Sequence, residues 1–343
     1  MAGKTIQELG ALVIGLGSIG ARHLANLRSL GLTRLGVLRA HGRGPLPPGA
    51  DLTGAAVHTD LGEALAQGYD LAVIANPTHL HLDCALAAAR AGCHVYMEKP
   101  LSDRLEDADA LAGLVDAAGL KFQMGCQMRF HPGLVAVKGW LNGARVGRPL
   151  RAVVEVGQYL PDWQPWRDYR TSYAARADMG GGVVLTLIHE LDYTRWLLGG
   201  LTPLAALGGR SGALDLSAED HATCLLRGPG GAAVVIGLDY LQRPPCRRMK
   251  ILGSHGVIAW DYFAGQAELI VDGEKAASAA PPAGWQANDM YLDLTRDLLR
   301  AIVEDRPTAV PLAEGLAALR LALALREGLQ VALKSGLPGM LKV

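Results

Sequence analysis

Short apolar runs alternate with helix-spaced apolar positions through the first third of the chain. Buried-type strands are predicted over residues 11–15, 34–39, 71–75, 94–97 and 120–124. Helices are predicted between them, over residues 19–30, 78–91 and 103–118. Strands that are apolar throughout are typical of a parallel sheet with helices on both faces. The pattern therefore predicts a doubly wound Rossmann-type α/β domain over residues 1–124, with a proline- and glycine-rich loop at 41–50.

The pattern changes after about residue 125, where strand-like runs follow one another with few helices between them. These runs are residues 151–159, 204–210, 222–226, 232–240, 248–252, 257–260 and 268–271. Helices are predicted over residues 183–198, 290–304 and 312–333. Such a succession predicts an α+β domain over residues 125–343, built on a large, open, mostly antiparallel sheet. The pattern leaves open whether helix 312–333 packs back on the first domain.

Composition and charge exclude several classes of protein. Half of the 343 residues are apolar, and 33 Lys and Arg balance 33 Asp and Glu, so no basic excess favours a nucleic-acid partner. The chain has no apolar run of membrane-spanning length and no leader-like N-terminus, so we expect a cytoplasmic protein without a membrane partner. The five cysteines are scattered and form no CxxC pair, which argues against disulfides and a zinc site.

A glycine motif follows the first predicted strand and opens the first predicted helix. Gly15, Gly17 and Gly20 form GxGxxG, in which the first glycine permits a tight turn, the second admits a pyrophosphate and the third lets helix and strand pack. The amides of Ser18, Ile19 and Gly20 lie at the start of the helix predicted over 19–30, whose positive end attracts phosphate. These five residues are predicted to bind a dinucleotide.

The end of the second strand and the loop after it carry the residues expected to choose between NAD and NADP. Proteins that bind NAD usually place an acid about 20 residues after the glycine motif, to bind the ribose hydroxyl. Here that region has no acid but contains Arg39 and Arg43, which can bind a 2′-phosphate. The cofactor is predicted to be NADP in preference to NAD.

Polar residues follow two further strands of the first domain. Asn76, Pro77 and His79 come after one strand, and Glu98 and Lys99 come after the next. Because ligands of open α/β sheets bind outside the carboxyl ends of the strands, these residues are candidate cofactor contacts.

With the glycine motif, the Glu-Lys-Pro motif at 98–100 resembles the Gfo/Idh/MocA family (glucose-fructose oxidoreductase and inositol dehydrogenase). The resemblance extends over essentially the whole chain, through residues 127–132 and 180–192. It implies an oxidoreductase that moves a hydride between a nicotinamide and a secondary alcohol or ketone of a sugar, sugar derivative or cyclitol. It also implies a second domain that binds substrate and forms a homodimer or homotetramer through its sheet.

The resemblance also implies the catalytic residues. Lys99 of the motif would lie beside the nicotinamide, with a cis bond to Pro100, and the positive charge of the oxidised ring favours a neutral lysine that can accept a proton. His189 would share the proton transfer. Relatives carry Asp four residues before this histidine, whereas this chain has Leu185, so His189 and Lys99 are left without that acid. Asp192 is interpreted as structural.

An aromatic segment over residues 158–173 is the candidate substrate loop. Flat rings contact the C–H face of a sugar, and charged groups bind its hydroxyls or a carboxylate. The candidate contacts are Tyr159, Trp163, Trp166, Arg167 and Tyr169, together with His189.

Two other functions remain open at this stage. One is a glycoside hydrolase that keeps NAD bound and oxidises its substrate transiently. The other is a non-catalytic regulator that uses the fold to sense a dinucleotide.

No His, Asp or Glu cluster has ligand spacing, so no metal is predicted.

Overall fold

A computed structural model describes residues 4–39 and 46–334 of the chain, with side chains up to residue 329. The chain divides into two compact units. The first is Met1–Gln127 with Gln286–Ala317, and the second is Met128–Trp285 with Ala318–Val343. The sequence pattern predicts a single boundary after residue 124, whereas the structure also assigns the segment Gln286–Ala317 to the first unit.

The described residues form fourteen strands and nine α-helices. The strands are β1 Gly10–Ile14, β2 Arg34–Leu38, β3 Ala55–His58, β4 Leu71–Ile74, β5 His94–Met97, β6 Phe122–Met124, β7 Pro149–Gly157, β8 Thr202–Gly209, β9 His221–Arg227, β10 Ala233–Asp239, β11 Cys246–Gly253, β12 Gly256–Asp261, β13 Gln266–Val271 and β14 Glu274–Ala279. The helices are α1 Ser18–Ser29, α2 Leu61–Leu65, α3 His81–Arg90, α4 Ala108–Ala117, α5 Pro132–Asn142, α6 Val183–Thr186, α7 His189–Leu198, α8 Asp289–Val303 and α9 Leu312–Lys334.

The first unit is a parallel sheet in the order β3-β2-β1-β4-β5-β6. Every residue of β1, β4 and β5 is buried, which explains why these central strands are apolar without alternation. The strand order reverses between β1 and β4, because β2 and β3 lie on one side of β1 and β4 to β6 lie on the other. Doubly wound sheets bind ligands at such a point. The glycine motif follows β1 at this position.

The second unit is an eight-stranded mixed sheet in the order β14-β13-β12-β11-β7-β10-β9-β8. Only β7 and β10 pair in parallel, and the other described neighbours are antiparallel. Buried residues alternate with exposed or half-buried ones along β9 and β10, as expected for a sheet with one covered face. The predicted fold class, a Rossmann domain with a second domain built on a large sheet, is confirmed.

The prediction of one helix over residues 183–198 is wrong. The backbone leaves the helical region at Leu187, with φ −97° and ψ 29°, so α6 ends and α7 begins at His189. The amide of Glu190 there donates to the carbonyl of Leu187, three residues back rather than four. Leu185 and His189 therefore belong to different helices.

Several other elements differ from the sequence predictions. The pattern misses β3, α2, α5 and β14. The helix predicted over residues 78–91 is preceded by a 3-10 turn at Thr78–Leu80, and α4 starts at Ala108 rather than at residue 103. Residues 41–45 of the predicted loop lie outside the described part of the chain. No helix within residues 4–39 and 46–334 is long and apolar enough to cross a bilayer.

Candidate functional site

The loop between β1 and α1 gives each glycine of the motif a different role. Gly15 has φ +94°, and a Cβ there would lie 2.8 Å from the backbone of Asn76. At Gly20, a Cβ would lie 2.0 Å from the carbonyl oxygen of Gly15. A Cβ on Gly17, in contrast, would have no heavy atom within 4 Å. The first and third glycines are therefore required by packing, while the space at Gly17 is open.

The start of α1 is suited to an anion. Its N-cap is Gly17, which has no side chain to bond the first amides of Ser18, Ile19 and Gly20. The first turn contains no acidic residue that would repel a phosphate. The helix dipole and these amides favour a negative group at this end.

Polar atoms after β4 also fit a bound dinucleotide. Among the described residues, Asn76 Oδ1 and His79 Nδ1 are buried without a hydrogen-bond partner. A buried polar atom without a partner costs free energy, so a bound group or an ordered water that supplies a partner is expected at these positions. Together with the open space at Gly17, they fit the NAD(P) that the motif predicts.

Lys99 follows β5 at the same edge of the sheet. Its peptide bond to Pro100 is cis, which confirms that expectation. The neighbouring carboxylate of Glu98 lies with Oε1 2.7 Å from Nε2 of His23 on α1, and both side chains are buried. The second oxygen of Glu98 accepts a hydrogen bond of 3.3 Å from the amide of Lys99. Glu98 thus links the turn that carries Lys99 to the helix that follows the glycine motif.

The residues predicted to select the cofactor are only partly described. Arg39 directly follows β2, is half-buried, and its amide donates to the carbonyl of His58. It therefore lies at the carboxyl edge of the sheet, one strand away from β1. Arg43 lies outside the described residues.

His189 in the second unit is the first residue of α7 and is 5% exposed. Two ion pairs, one of them fully buried, hold the first turn of this helix. Asp192 pairs with Arg129 at 2.6 Å, and Glu190 pairs with Arg247 at 2.8 Å. The helix that starts with His189 is therefore tied to two other segments of its own unit.

The aromatic segment folds as a series of 3-10 turns rather than as one regular element. Three of its rings have contacts within the unit. Tyr159 lies 3.8 Å from the guanidinium of Arg243, Trp163 packs edge-on against Tyr240, and Tyr169 accepts a hydrogen bond from the amide of Asp215.

Two other candidate substrate contacts lie at the surface of the segment. Arg167 bonds the side chain and carbonyl of Thr171. Trp166 is 66% exposed. Of the five candidates in this segment, Trp166 and Arg167 are therefore exposed, whereas Tyr159, Trp163 and Tyr169 are half-buried.

Two residues beside Lys99 are missing from the sequence prediction. His23 contacts Glu98, and His81, at the start of α3, contacts the carbonyl of Pro100. A sequence feature that could have indicated them is a histidine on the buried face of a helix that follows a predicted ligand-binding loop, as on α1 and α3. Among the described residues, no group of three or more His, Cys, Asp or Glu side chains is placed to hold a metal ion.

The chain matches two family descriptions in succession. Residues 9–126 match "Oxidoreductase family, NAD-binding Rossmann fold", and residues 134–259 match "GFO/IDH/MocA C-terminal domain". Together the matches cover more than half of the 343 residues. The chain belongs to the Gfo/Idh/MocA family of oxidoreductases. The family resemblance is thereby confirmed, and the first unit contains the family's NAD-binding Rossmann domain.

Individual members of the family that resemble this chain carry dehydrogenase or reductase names. The 1,5-anhydro-D-fructose reductase of Ensifer adhaerens is 34% identical over 131 residues, which is 38% of each chain. The myo-inositol 2-dehydrogenase of Thermotoga maritima is 25% identical over 93% of this chain and 95% of its own length. A structure of levoglucosan dehydrogenase with NADH and levoglucosan has a TM-score of 0.82 at 18% identity, over 94% of this chain and 97% of that one.

The extent of these matches differs. The alignment spans between about a third and just over half of the length of the first four curated relatives. The likeness to levoglucosan dehydrogenase, at 18% identity, shows a shared fold.

Proposed function

We propose that the protein is an NAD(P)-dependent dehydrogenase or reductase that acts on a secondary alcohol or ketone of a sugar, a sugar derivative or a cyclitol. The observation that carries this proposal is the position of Lys99. It follows β5 at the carboxyl edge of the sheet that also carries the glycine loop, and Glu98 beside it is held by His23. The dehydrogenase names of the family relatives support the same reaction class.

Two residues of the chain are proposed to move the proton. A bound nicotinamide supplies the hydride acceptor for oxidation and the hydride donor for reduction. In oxidation, the Nζ of Lys99 accepts the proton of the substrate hydroxyl, and in reduction it returns the proton to the alkoxide oxygen. His189 is proposed to take part in the same proton transfer. The ion pairs of the buried carboxylates of Glu190 and Asp192 support this role, because they fix the helix on which His189 lies.

The test is a screen of polyols, sugars and cyclitols that follows nicotinamide absorbance with both NAD⁺ and NADP⁺. With a substrate found, Lys99→Met is expected to lower kcat by at least about 10²-fold, the usual scale for a positioned acid or base. Dinucleotide binding is expected to survive. Lys250→Met, at an exposed position on β11, is the matched control and is expected to keep the wild-type rate.

The outcomes separate this proposal from other uses of the fold. Near-native turnover of Lys99→Met contradicts the assigned role of the lysine. Cleavage of a glycoside with no net change in nicotinamide absorbance indicates a hydrolase that oxidises its substrate transiently. Tight dinucleotide binding without activity on the whole panel indicates a sensor rather than an enzyme.

The aromatic segment is proposed to contact the sugar-like substrate through Tyr159, Trp163, Trp166, Arg167 and Tyr169. The strongest support is Trp166, whose large apolar ring is 66% exposed. Trp166→Ala is expected to raise the substrate KM while the dinucleotide Kd stays at its wild-type value. An unchanged KM contradicts this assignment.

A preference for NADP is the finer proposal on the cofactor. Its support is the position of Arg39 directly after β2 and the lack of an acid in that region. Arg39→Ala is expected to weaken the binding of NADP(H) by roughly 1.5–3 kcal/mol, the range for a lost charged hydrogen bond. NAD(H) binding is expected to change little. Arg34→Ala, at the opposite end of the same strand, is the control, and equal losses for both cofactors contradict the proposal.

Self-association through the second sheet is proposed as well, to give a homodimer or homotetramer. Leu204 and Leu207 on β8 and Leu225 on β9 are 48%, 72% and 42% exposed, and the two strands are neighbours. Exposed apolar side chains on adjacent strands are typical of a subunit contact. Light scattering is expected to show an oligomer that Leu207→Asp dissociates, and a monomeric wild type contradicts the proposal.

A further inference from the structure

His81 lies between two strand ends of the first unit. It is the first residue of α3 and is 2% exposed. Its Nδ1 is 2.8 Å from the carbonyl oxygen of Pro100, which follows β5. Its Nε2 is 2.9 Å from the carbonyl oxygen of Asn76, which follows β4. One imidazole ring thus contacts the turn that carries Lys99 and the loop with the candidate cofactor contacts.

The chemistry of the two partners restricts the ring. A carbonyl oxygen accepts hydrogen bonds and cannot donate them, so each contact requires an N–H on the ring nitrogen. A neutral ring has one N–H and bonds either Pro100 or Asn76, whereas the imidazolium bonds both. Burial lowers the pKa of His81, while the two carbonyls and the nearby Glu98 oppose that change and the nearby Lys99 adds to it.

We propose that His81 is a positioning residue that holds the Lys99 turn, through its Nδ1–H bond to the carbonyl of Pro100, at a fixed place relative to α3. The inference rests on the proposed function of Lys99. His23 acts on the other side of the lysine, where its 2.7 Å contact fixes Glu98. The two residues that flank Lys99 in the chain are therefore both held by buried histidines, while Lys99 itself is half-buried.

The expected consequence follows from the sensitivity of proton transfer to distance. A displacement of about 1 Å of a catalytic group can reduce a rate by about 10²-fold. Without the bond to Pro100, the turn loses the hydrogen bond to α3 that lies next to Lys99, so the amine is expected to sample positions that do not reach the substrate hydroxyl. Loss of His81 is thus expected to lower kcat, whereas a purely structural histidine would affect only stability.

The experiment is a double-mutant cycle of His81→Phe and Lys99→Met on the full-length enzyme. His81→Phe alone is expected to lower kcat about 10- to 100-fold, with a smaller change in the substrate KM. In the Lys99→Met background, His81→Phe is expected to lower kcat less than about threefold, because no lysine remains to be positioned. His81→Gln, which keeps one donor group, is expected to recover part of the rate.

The matched control is His94→Phe, which replaces another buried imidazole of the same unit. His94 lies at the opposite end of β5 from the Lys99 turn, and it accepts a hydrogen bond from the amide of Lys121. Its replacement is expected to lower the thermal midpoint but leave kcat unchanged in both backgrounds. A loss of kcat in His94→Phe as large as in His81→Phe would overturn the inference, because it would mark a general effect of core disruption.

A second measurement does not depend on activity or on a stable variant. In protein labelled with ¹⁵N-histidine, Nδ1 of His81 is expected to carry a proton, as its bond to Pro100 requires. A His81 ring protonated only at Nε2 overturns the inference.

The cycle also separates failure of the inference from failure of the proposed function. If the reductions in kcat from the two substitutions are fully additive in the double variant, the inference is overturned and the role of Lys99 is left intact. Near-native turnover of Lys99→Met alone overturns both.

Discussion

Arg129 and Asp192 form a bidentate ion pair inside the second unit. The two bonds are 2.9 Å from Nε to Oδ2 and 2.6 Å from Nη2 to Oδ1, and the side chains are 5% and 1% exposed. Asp192 lies in the first turn of α7, three residues after His189. The geometry agrees with a structural role for Asp192, because both of its oxygens bond the arginine.

Removal of this charge is expected to destabilise the protein strongly. Asp192→Asn leaves a buried guanidinium without its counter-ion, for which a loss of about 3–5 kcal/mol in the free energy of unfolding is typical. Urea denaturation measures this loss. Glu155→Gln is the control, because its pair with Arg248 is exposed and should contribute less than about 1 kcal/mol. Equal effects of the two substitutions would contradict the prediction.

The glycine loop allows a sharper separation of packing from binding. Gly17 has φ −80° and ψ −169°, which alanine adopts without strain, and its missing Cβ faces open space. Gly17→Ala is therefore expected to fold with a stability within about 0.5 kcal/mol of the wild type. The added methyl occupies the path of the pyrophosphate, so the dinucleotide Kd should rise at least about tenfold.

Gly20→Ala is the matched variant with the opposite expectation. Its Cβ would lie 2.0 Å from the carbonyl oxygen of Gly15, so the helix must shift and the loss appears in urea denaturation. Fluorescence titration with NAD(H) and NADP(H) measures the binding of both variants. Wild-type affinity in Gly17→Ala would contradict the role given to the open space.

The sequence could predict the glycine loop and the position of Lys99 because each follows a strand that is buried throughout. Strands such as β1 and β5 show continuous apolar runs, and the order of strands in a doubly wound sheet places their carboxyl ends at one edge. The bond between His81 and Pro100 joins residues 19 positions apart, and neither periodicity nor a motif indicates it. Such contacts depend on packing that one sequence does not encode locally.

The missed elements have physical causes of the same kind. β14 is the edge strand of its sheet, and its residues are mostly exposed, so no apolar alternation marks it. β3 is also an edge strand, and its four residues are half-buried at the two ends and exposed in the middle, so they show no alternation either. α5 did carry a local signal, since proline follows its N-cap His131. The break between α6 and α7 had none, because leucine and isoleucine at 187 and 188 are compatible with a continuous helix.

His131 makes the stability of the second unit depend on pH. Its Nδ1 accepts a bond of 3.1 Å from the amide of Gly133, and three rings, those of Trp260, Tyr262 and Trp285, lie around it. Burial, with a smaller contribution from Arg247, lowers the pKa of His131 to about 4. The unfolded chain binds this proton near pH 6.5, so between pH 6.5 and 4 the unfolded state holds more protons than the folded one.

Stability is therefore expected to fall as the pH decreases through that window, by up to about 1.4 kcal/mol per pH unit for this proton. His131→Asn keeps an N-cap acceptor but cannot take up a proton. The slope of the unfolding free energy against pH should therefore decrease by the contribution of about one proton. Burial also lowers the pKa of His94 to about 4, and its share of the slope should remain. Urea denaturation at pH 5 and pH 7 measures the slope, with exposed His255→Asn as the control. An unchanged slope in His131→Asn would show that this ring does not titrate as expected.

The last prediction concerns His189 and Leu185, which occupies the position four residues before it. In the structure Leu185 is fully buried on α6, whereas His189 starts α7. Leu185→Asp is therefore expected to destabilise the unit by burying a carboxylate, rather than to restore an acid–imidazole pair on one helix. His189→Asn removes the proton carrier without adding charge and is expected to lower kcat by about 10²-fold at unchanged dinucleotide Kd. Steady-state kinetics test this expectation, with His255→Asn as the control. If His189→Asn keeps the full rate, His189 is structural and the proton transfer belongs to Lys99 alone.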